Sequence, residues 1–197
     1  MRRVARILRF ARSTRYALAL VFAFLAVAFA ASAQEAVDLS GTRTSPLQHW
    51  RGKVLVLVFV RTDCPISNRY APLIQQLSAK YAAHATFLLV FPDKAESPGA
   101  IRAYLRDFGY TIPALRDTDH ALVKKAGARV TPEAAVFNAK RDLVYRGRID
   151  DLYPALGKSR HAASTHELAD AIDAAVRGVA PPRASAEAAG CVIADLQ

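Results

Sequence analysis

The apolar positions change their period along the chain, and each change marks an element. "KVLVLVFV", Lys53 to Val60, is an unbroken aliphatic run, the pattern of a strand buried on both faces in a parallel or mixed sheet. Leu73, Ile74, Leu77 and Tyr81 then recur at helical spacing. They predict a helix from about Ser67 to Ala82 with one face inward, and a kink or tight turn at Pro72. "ATFLLVFP" repeats the buried-strand pattern. Ser97-Pro98 supplies a cap and a first-turn proline for a second helix that Gly109 ends, and a short helix over His120 to Lys125 stops at Gly127. "EAAVFNAKRDLVYRGRI" reads as a β-hairpin turning near Asn138 to Asp142. Ser164 and Glu167 form a capping-box pattern ahead of Leu168, Ala171, Ile172 and Val176, a last amphipathic helix closed by Gly178. With a short edge strand at "AVDL", the order β-α-β-α-(α)-β-β-α predicts an α/β domain over residues 34–178. The segment "VAPPRASAEAAG", rich in Pro, Ala and Ser, predicts a flexible tail over residues 179–197 that carries Cys191.

The first 33 residues follow a different pattern. Arg2, Arg3, Arg6, Arg9, Arg12 and Arg15 precede the apolar run Tyr16 to Ala30, and "ASA" stands before Gln34. This is the order of a secretory signal peptide, with an uncleaved membrane anchor as the alternative. Either reading predicts export, to the periplasm or outside the cell, and the anchor would add membrane contact. The segment also changes the charge argument. It holds six basic residues and no acidic ones, which leaves 21 basic against 17 acidic residues, a net +4 where the whole chain has +10. The nucleic-acid reading that a pI near 10 invites loses its support.

Candidate chemistry concentrates in "RTDCPISNRYAP", Arg61 to Pro72. Cys64 follows a buried strand and opens a helix, so its sulfur is expected near free backbone N–H groups at the positive end of the helix dipole. Such an environment favours the thiolate, the form that attacks disulfides and peroxides. Arg61 and Arg69 add positive charge, and Asp63 opposes them. The plainer alternative is a core cysteine. A second feature is "RVTPEAAVF", where Thr131-Pro132 stands just before a strand. It is either a cis proline that presents the preceding backbone to an extended substrate, or an ordinary strand-start proline. Arg129 is the candidate for a charge near the sulfur. In "YRGRIDD", Arg146, Arg148, Asp150 and Asp151 read as a solvated strand end with a surface salt bridge. No phosphate-binding glycine loop, H-E-x-x-H or G-x-S-x-G occurs.

Together the buried strand, the Cys-Pro helix mouth and the Thr-Pro before a hairpin and final helix resemble the thioredoxin fold. In detail, "TDCPISNRYAP", "VTPEAAVF", "YRGRIDD" and the tail "GCVIADL" are similar to exported redoxins of the alkyl hydroperoxide reductase/thiol-specific antioxidant superfamily, over roughly Trp50 to Gly178. The resemblance implies a thiol oxidoreductase with Cys64 as attacking sulfur and Pro132 as cis proline. It implies no cofactor, and as partners a disulfide or peroxide substrate and an external thiol reductant. The second cysteine of a C-x-x-C motif is replaced by Ser67, and Thr62 lies one position from the threonine of the peroxiredoxin motif. Cys191 is then the expected resolving partner of Cys64, with a permanent structural disulfide and an unpaired tail thiol left open. Two further readings compete. One is a copper site of the Sco type built from Cys64, Cys191 and His161 or His166; the other is a redox-inactive binding module on the same fold.

Overall fold

Val54 to Phe59 have side chains pointing alternately to two faces, and both faces are covered. In the computed structural model of the protein, residues 36–50, 52–194 and 196 are described; the leader-like segment 1–33 lies outside them. Among the described residues ten strands run in chain order: β1 (Ala36–Asp38), β2 (Arg43–Thr44), β3 (Val54–Phe59), β4 (Ala85–Phe91), β5 (Ala114–Arg116), β6 (Val130–Thr131), β7 (Glu133–Phe137), β8 (Leu143–Gly147), β9 (Ser185–Ala186) and β10 (Cys191–Val192). Five helices accompany them: α1 (Pro46–His49), α2 (Pro65–Lys80), α3 (Pro98–Asp107), α4 (Ala121–Ala126) and α5 (Glu167–Arg177).

Eight strands form one mixed sheet in the order β2-β1-β5-β4-β3-β7-β8-β9, and β10 pairs with β6 in a separate two-stranded ribbon. β3, β4 and β5 are parallel neighbours, and β7 returns antiparallel on the other side of β3. Val54, Val56 and Val58 pack with Ile74 and Leu77 of α2, Ile101 of α3, and Leu168 and Ile172 of α5. Leu55, Leu57 and Phe59 pack on the opposite face with Leu122 and Val123 of α4. Each such buried aliphatic side chain contributes about 1.5–3 kcal/mol relative to exposure, so β3 anchors both layers. The α/β class with a central sheet between helices is confirmed.

Helix α2 starts at Pro65 and passes through Pro72 as one element. Its start is earlier than periodicity suggests, because the defining signal is the first-turn proline rather than the first apolar residue. Strand β5 has no counterpart in the sequence pattern: three residues are too few to display a period. The capping box is not formed. His166 stands at the N-terminal boundary of α5 without a side-chain cap bond, while Ser164 binds Asp151 and Glu167 binds Arg148 and Thr165. The "YRGRIDD" end is not solvated. Asp150 and Asp151 are buried: Asp150 accepts from the Tyr70 hydroxyl and the Leu152 amide, and Asp151 accepts from Ser164, Thr165 and Arg160.

The tail also departs from its compositional reading. β9 runs parallel to β8, and β10 runs antiparallel to β6 with Cys191 opposite Thr131. Composition registers low apolar content; it does not register backbone pairing, which these short strands use to hold the tail.

Candidate active site

Cys64 is the N-terminal boundary residue of α2, in extended conformation. The strand β3 leads to it, and Pro65 occupies the first helical position, where a missing N–H leaves no bond unmade. The residue is completely covered, 0% exposed, yet it belongs to neither hydrophobic cluster. Its surroundings are polar. The thiol donates to the Thr131 carbonyl oxygen at 3.0 Å, and Ser67, also fully buried, presents its amide and hydroxyl to the sulfur. The Ser67 hydroxyl has no other partner. Ser67 stands where a C-x-x-C motif would place the second cysteine.

The second thiol arrives from the tail. Pairing of β10 with β6 sets Cys191 opposite Thr131 and Val192 opposite Val130. The Ile193 amide donates to the Arg129 carbonyl at 2.9 Å, and the Thr131 hydroxyl donates to the Cys191 carbonyl at 3.4 Å. Ile193 is buried in the α4-side core. Gly190 makes the close approach possible, since a Cβ there would lie 2.3 Å from the Thr131 oxygen. The Thr131–Pro132 peptide is cis. Both cysteines are free thiols, Cys64 buried and Cys191 partly exposed.

Their proton affinities diverge. Burial acts to raise the Cys64 thiol, but hydrogen bonds from the Cys191 thiol and from Ser67 outweigh it and the net shift is downward. Cys191 is pushed up to about 12 by burial and by its bond to Cys64 and the charge there. Of the two thiols, Cys64 is therefore the one that gives up its proton first.

Other expected residues take different places. The Arg129 side chain is exposed; its amide donates to Glu133 at 2.7 Å, and its contribution to the site is the carbonyl that holds Ile193. The guanidinium that acts on Cys191 is that of Arg61, and it is ion-paired with Asp63 at 2.9 Å and Asp93 at 3.1 Å. Thr62 turns to Glu96, whose carboxylate accepts the Thr62 amide at 2.6 Å. Among the described residues no three His, Cys, Asp or Glu side chains are grouped to hold a metal ion, and His161 and His166 lie exposed on the loop leading to α5.

Sequence reasoning missed three contributors. Glu96 is buried with one carboxylate oxygen unpartnered, and burial raises its proton affinity. Glu133 is buried and bonds the amides of Arg129 and Val130 while pairing with Arg146. Gly190 had a readable signal in "GC", a glycine beside the second cysteine. The two glutamates had none, because nothing local distinguishes them from surface carboxylates.

The Redoxin family model matches residues 27–155. A hypothetical protein from Sinorhizobium meliloti 1021 is 24% identical, covers 80% of this chain and 88% of its own, and superposes with a TM-score of 0.69. A thioredoxin-like protein from Aeropyrum pernix is 15% identical over 82% of this chain and 99% of its own, with a TM-score of 0.54. A secreted Mycobacterium tuberculosis disulfide oxidoreductase, homologous to E. coli DsbE, is 19% identical over 73% of this chain and 94% of its own, with a TM-score of 0.50. These likenesses establish a thioredoxin-like fold. No curated protein matches the chain.

Proposed function

The chain belongs to the redoxin family, whose chemistry is thiol-based oxidoreduction, and from that premise we propose that it is a thiol-disulfide oxidoreductase in which Cys64 and Cys191 cycle between dithiol and disulfide. The observation that carries the reading is the seating of the Cys191 thiol on Cys64 by the β10–β6 ribbon. Cys64, the thiol that ionises first, is the attacking sulfur, and Cys191 resolves the mixed disulfide it forms. Ser67 takes no part in exchange; it stabilises the thiolate from the position a second motif cysteine would hold. The ribbon is short, and its lifting in the dithiol state gives a disulfide substrate access to Cys64.

Disulfide exchange is favoured over peroxide reduction by the placement of Thr62 and Arg129. The Thr62 side chain is engaged with Glu96 and that of Arg129 is exposed, so neither is set to polarise a peroxide against the sulfur. The sequence of the first 33 residues supports a place of action outside the cytoplasm, where a labile disulfide persists. Equilibration in buffers of graded ratios of a small thiol and its disulfide tests the reading. We expect a Cys64–Cys191 bond that forms and opens reversibly in the wild type and is lost in Cys64→Ser and Cys191→Ser. Thiols that stay free throughout, or a bond that withstands mild reductant, would refute it.

A further inference from the structure

A disulfide between these two cysteines would have one covered and one open sulfur, and the open one is on the tail. Resting on the pair proposed above, we infer that an external reducing thiol enters at Cys191 and that Cys64 is the sulfur expelled in that step. A thioredoxin-like helix mouth suggests the reverse order, in which the cysteine that opens the helix meets the partner.

Three observations carry the inference. Cys64 is 0% exposed and lies beneath β10. Cys191 is partly exposed, and its neighbour Val192 is 68% exposed, so the outer side of β10 faces solvent. The strand is held independently of the sulfurs, by its pairing with β6, by the Ile193–Arg129 bond and by the buried Ile193 side chain. In the dithiol state the strand lifts only by breaking these contacts; in the disulfide state the S–S bond adds a covalent tie over Cys64. Displacement at sulfur requires approach opposite the bond being broken. Cys191 offers solvent-accessible surface for such an approach, whereas Cys64 offers none.

The step balances as follows. A thiolate RS⁻ attacks the Cys191 sulfur, the R–S–S–Cys191 bond forms, the Cys191–Cys64 bond breaks, and the electron pair leaves on Cys64 as thiolate. A second RS⁻ attacks the R sulfur, RSSR departs, and Cys191 leaves as a thiolate that takes a proton from water. Two thiols are oxidised and the protein disulfide is reduced. The downward shift of Cys64 and the upward shift of Cys191 assist the first cleavage, because the sulfur of lower proton affinity leaves faster. Mixed disulfides with the reductant are therefore borne on the tail strand.

Brief treatment of the oxidised full chain with 2-mercaptoethanol, an acid quench, alkylation and peptide mass mapping tests this. The expected result is a mercaptoethanol adduct on Cys191, with Cys64 alkylated, in about tenfold or greater excess over the opposite pattern, a margin of roughly 1.4 kcal/mol. Equal adducts, or a majority on Cys64, would overturn the inference while leaving the redox pair intact. A Cys64–Cys191 bond missing from the sample before thiol addition would instead sink the pair, and this inference with it.

Discussion

Two buried polar clusters touch helix α2, and they are satisfied to very different degrees. Around Asp150 and Asp151, the acceptors meet Tyr70, Leu152, Ser164, Thr165 and Arg160, and Arg148 pairs with one oxygen of Glu167 alongside, whose other oxygen is the one unpartnered atom of this group. Around Cys64, by contrast, the Ser67 hydroxyl, one Glu96 oxygen, the Arg61 Nε and the Tyr104 hydroxyl are buried without partners of ordinary geometry. A paired cluster fastens one loop to one helix. An underpaired one leaves donors near a sulfur whose charge changes during a reaction, and its burial depends on a two-residue strand. The difference separates a structural staple from a site.

The largest expected effect comes from removing the lid of the second cluster. Gly190→Val cannot keep β10 against Thr131, given the 2.3 Å approach of even a Cβ. Alkylation of Cys64 in the reduced variant should accelerate about tenfold or more, as expected when a locally opened state becomes the dominant one. An unchanged rate, measured by iodoacetamide labelling and mass mapping, would mean that the tail does not guard the sulfur.

The first cluster should respond in stability and not in reactivity. Tyr70→Phe removes the hydroxyl that donates to Asp150 and leaves a buried carboxylate one bond short, at a cost of about 1–3 kcal/mol. Urea denaturation measures this loss, and the Cys64 labelling rate of the folded variant should match that of the wild type. Next comes pH, where the two clusters should fail at opposite ends. Asp151 is held below the usual carboxylate range by its bonds to Ser164 and Thr165. Its stabilisation is present above about pH 4 and is lost as pH falls, because the unfolded chain then binds the extra proton. Cys191, raised from 9.0 to about 12, keeps its proton in the folded state. Stability should therefore decline as pH rises from 9 toward 12 in the reduced protein. Cys191→Ser should remove that decline relative to wild type. Cys64 shifts downward, so its own contribution grows with pH up to the ordinary thiol range and does not produce a decline. The smallest effect is Ser67→Ala. Loss of one hydroxyl facing the sulfur, about 0.5–1 kcal/mol, should slow thiolate-dependent labelling of Cys64 in the Gly190→Val background by a few-fold.

The elements with many residues in a period or with clear caps were readable: β3, β4, α3, the β7–β8 hairpin and α5 fall where apolar spacing and end signals put them, and α2 does so apart from its earlier start. The Cys-Pro mouth and the Thr-Pro turn were readable because proline restricts the backbone locally. What escaped was held by contacts distant in sequence. β5 is defined by its neighbour β4, and the carboxylates of Asp150 and Asp151 look solvated until Tyr70 and Ser164 are brought to them. The tail looks loose until Thr131, 60 residues earlier, offers its edge to Cys191. Arg129 was chosen for its charge and contributes its carbonyl. The charge near Cys191 came from Arg61, next to the motif itself.

The account stands on Cys64 and Cys191 acting as a pair, and thiol mapping by mass spectrometry after mild peroxide oxidation of wild type and Cys191→Ser tests it most directly. The wild type should yield a Cys64–Cys191 disulfide that mild reductant reopens, and the variant should leave Cys64 as a sulfenic acid or a more oxidised form. A wild type in which Cys64 remains a free thiol, or is over-oxidised to the same extent as in the variant, would contradict it.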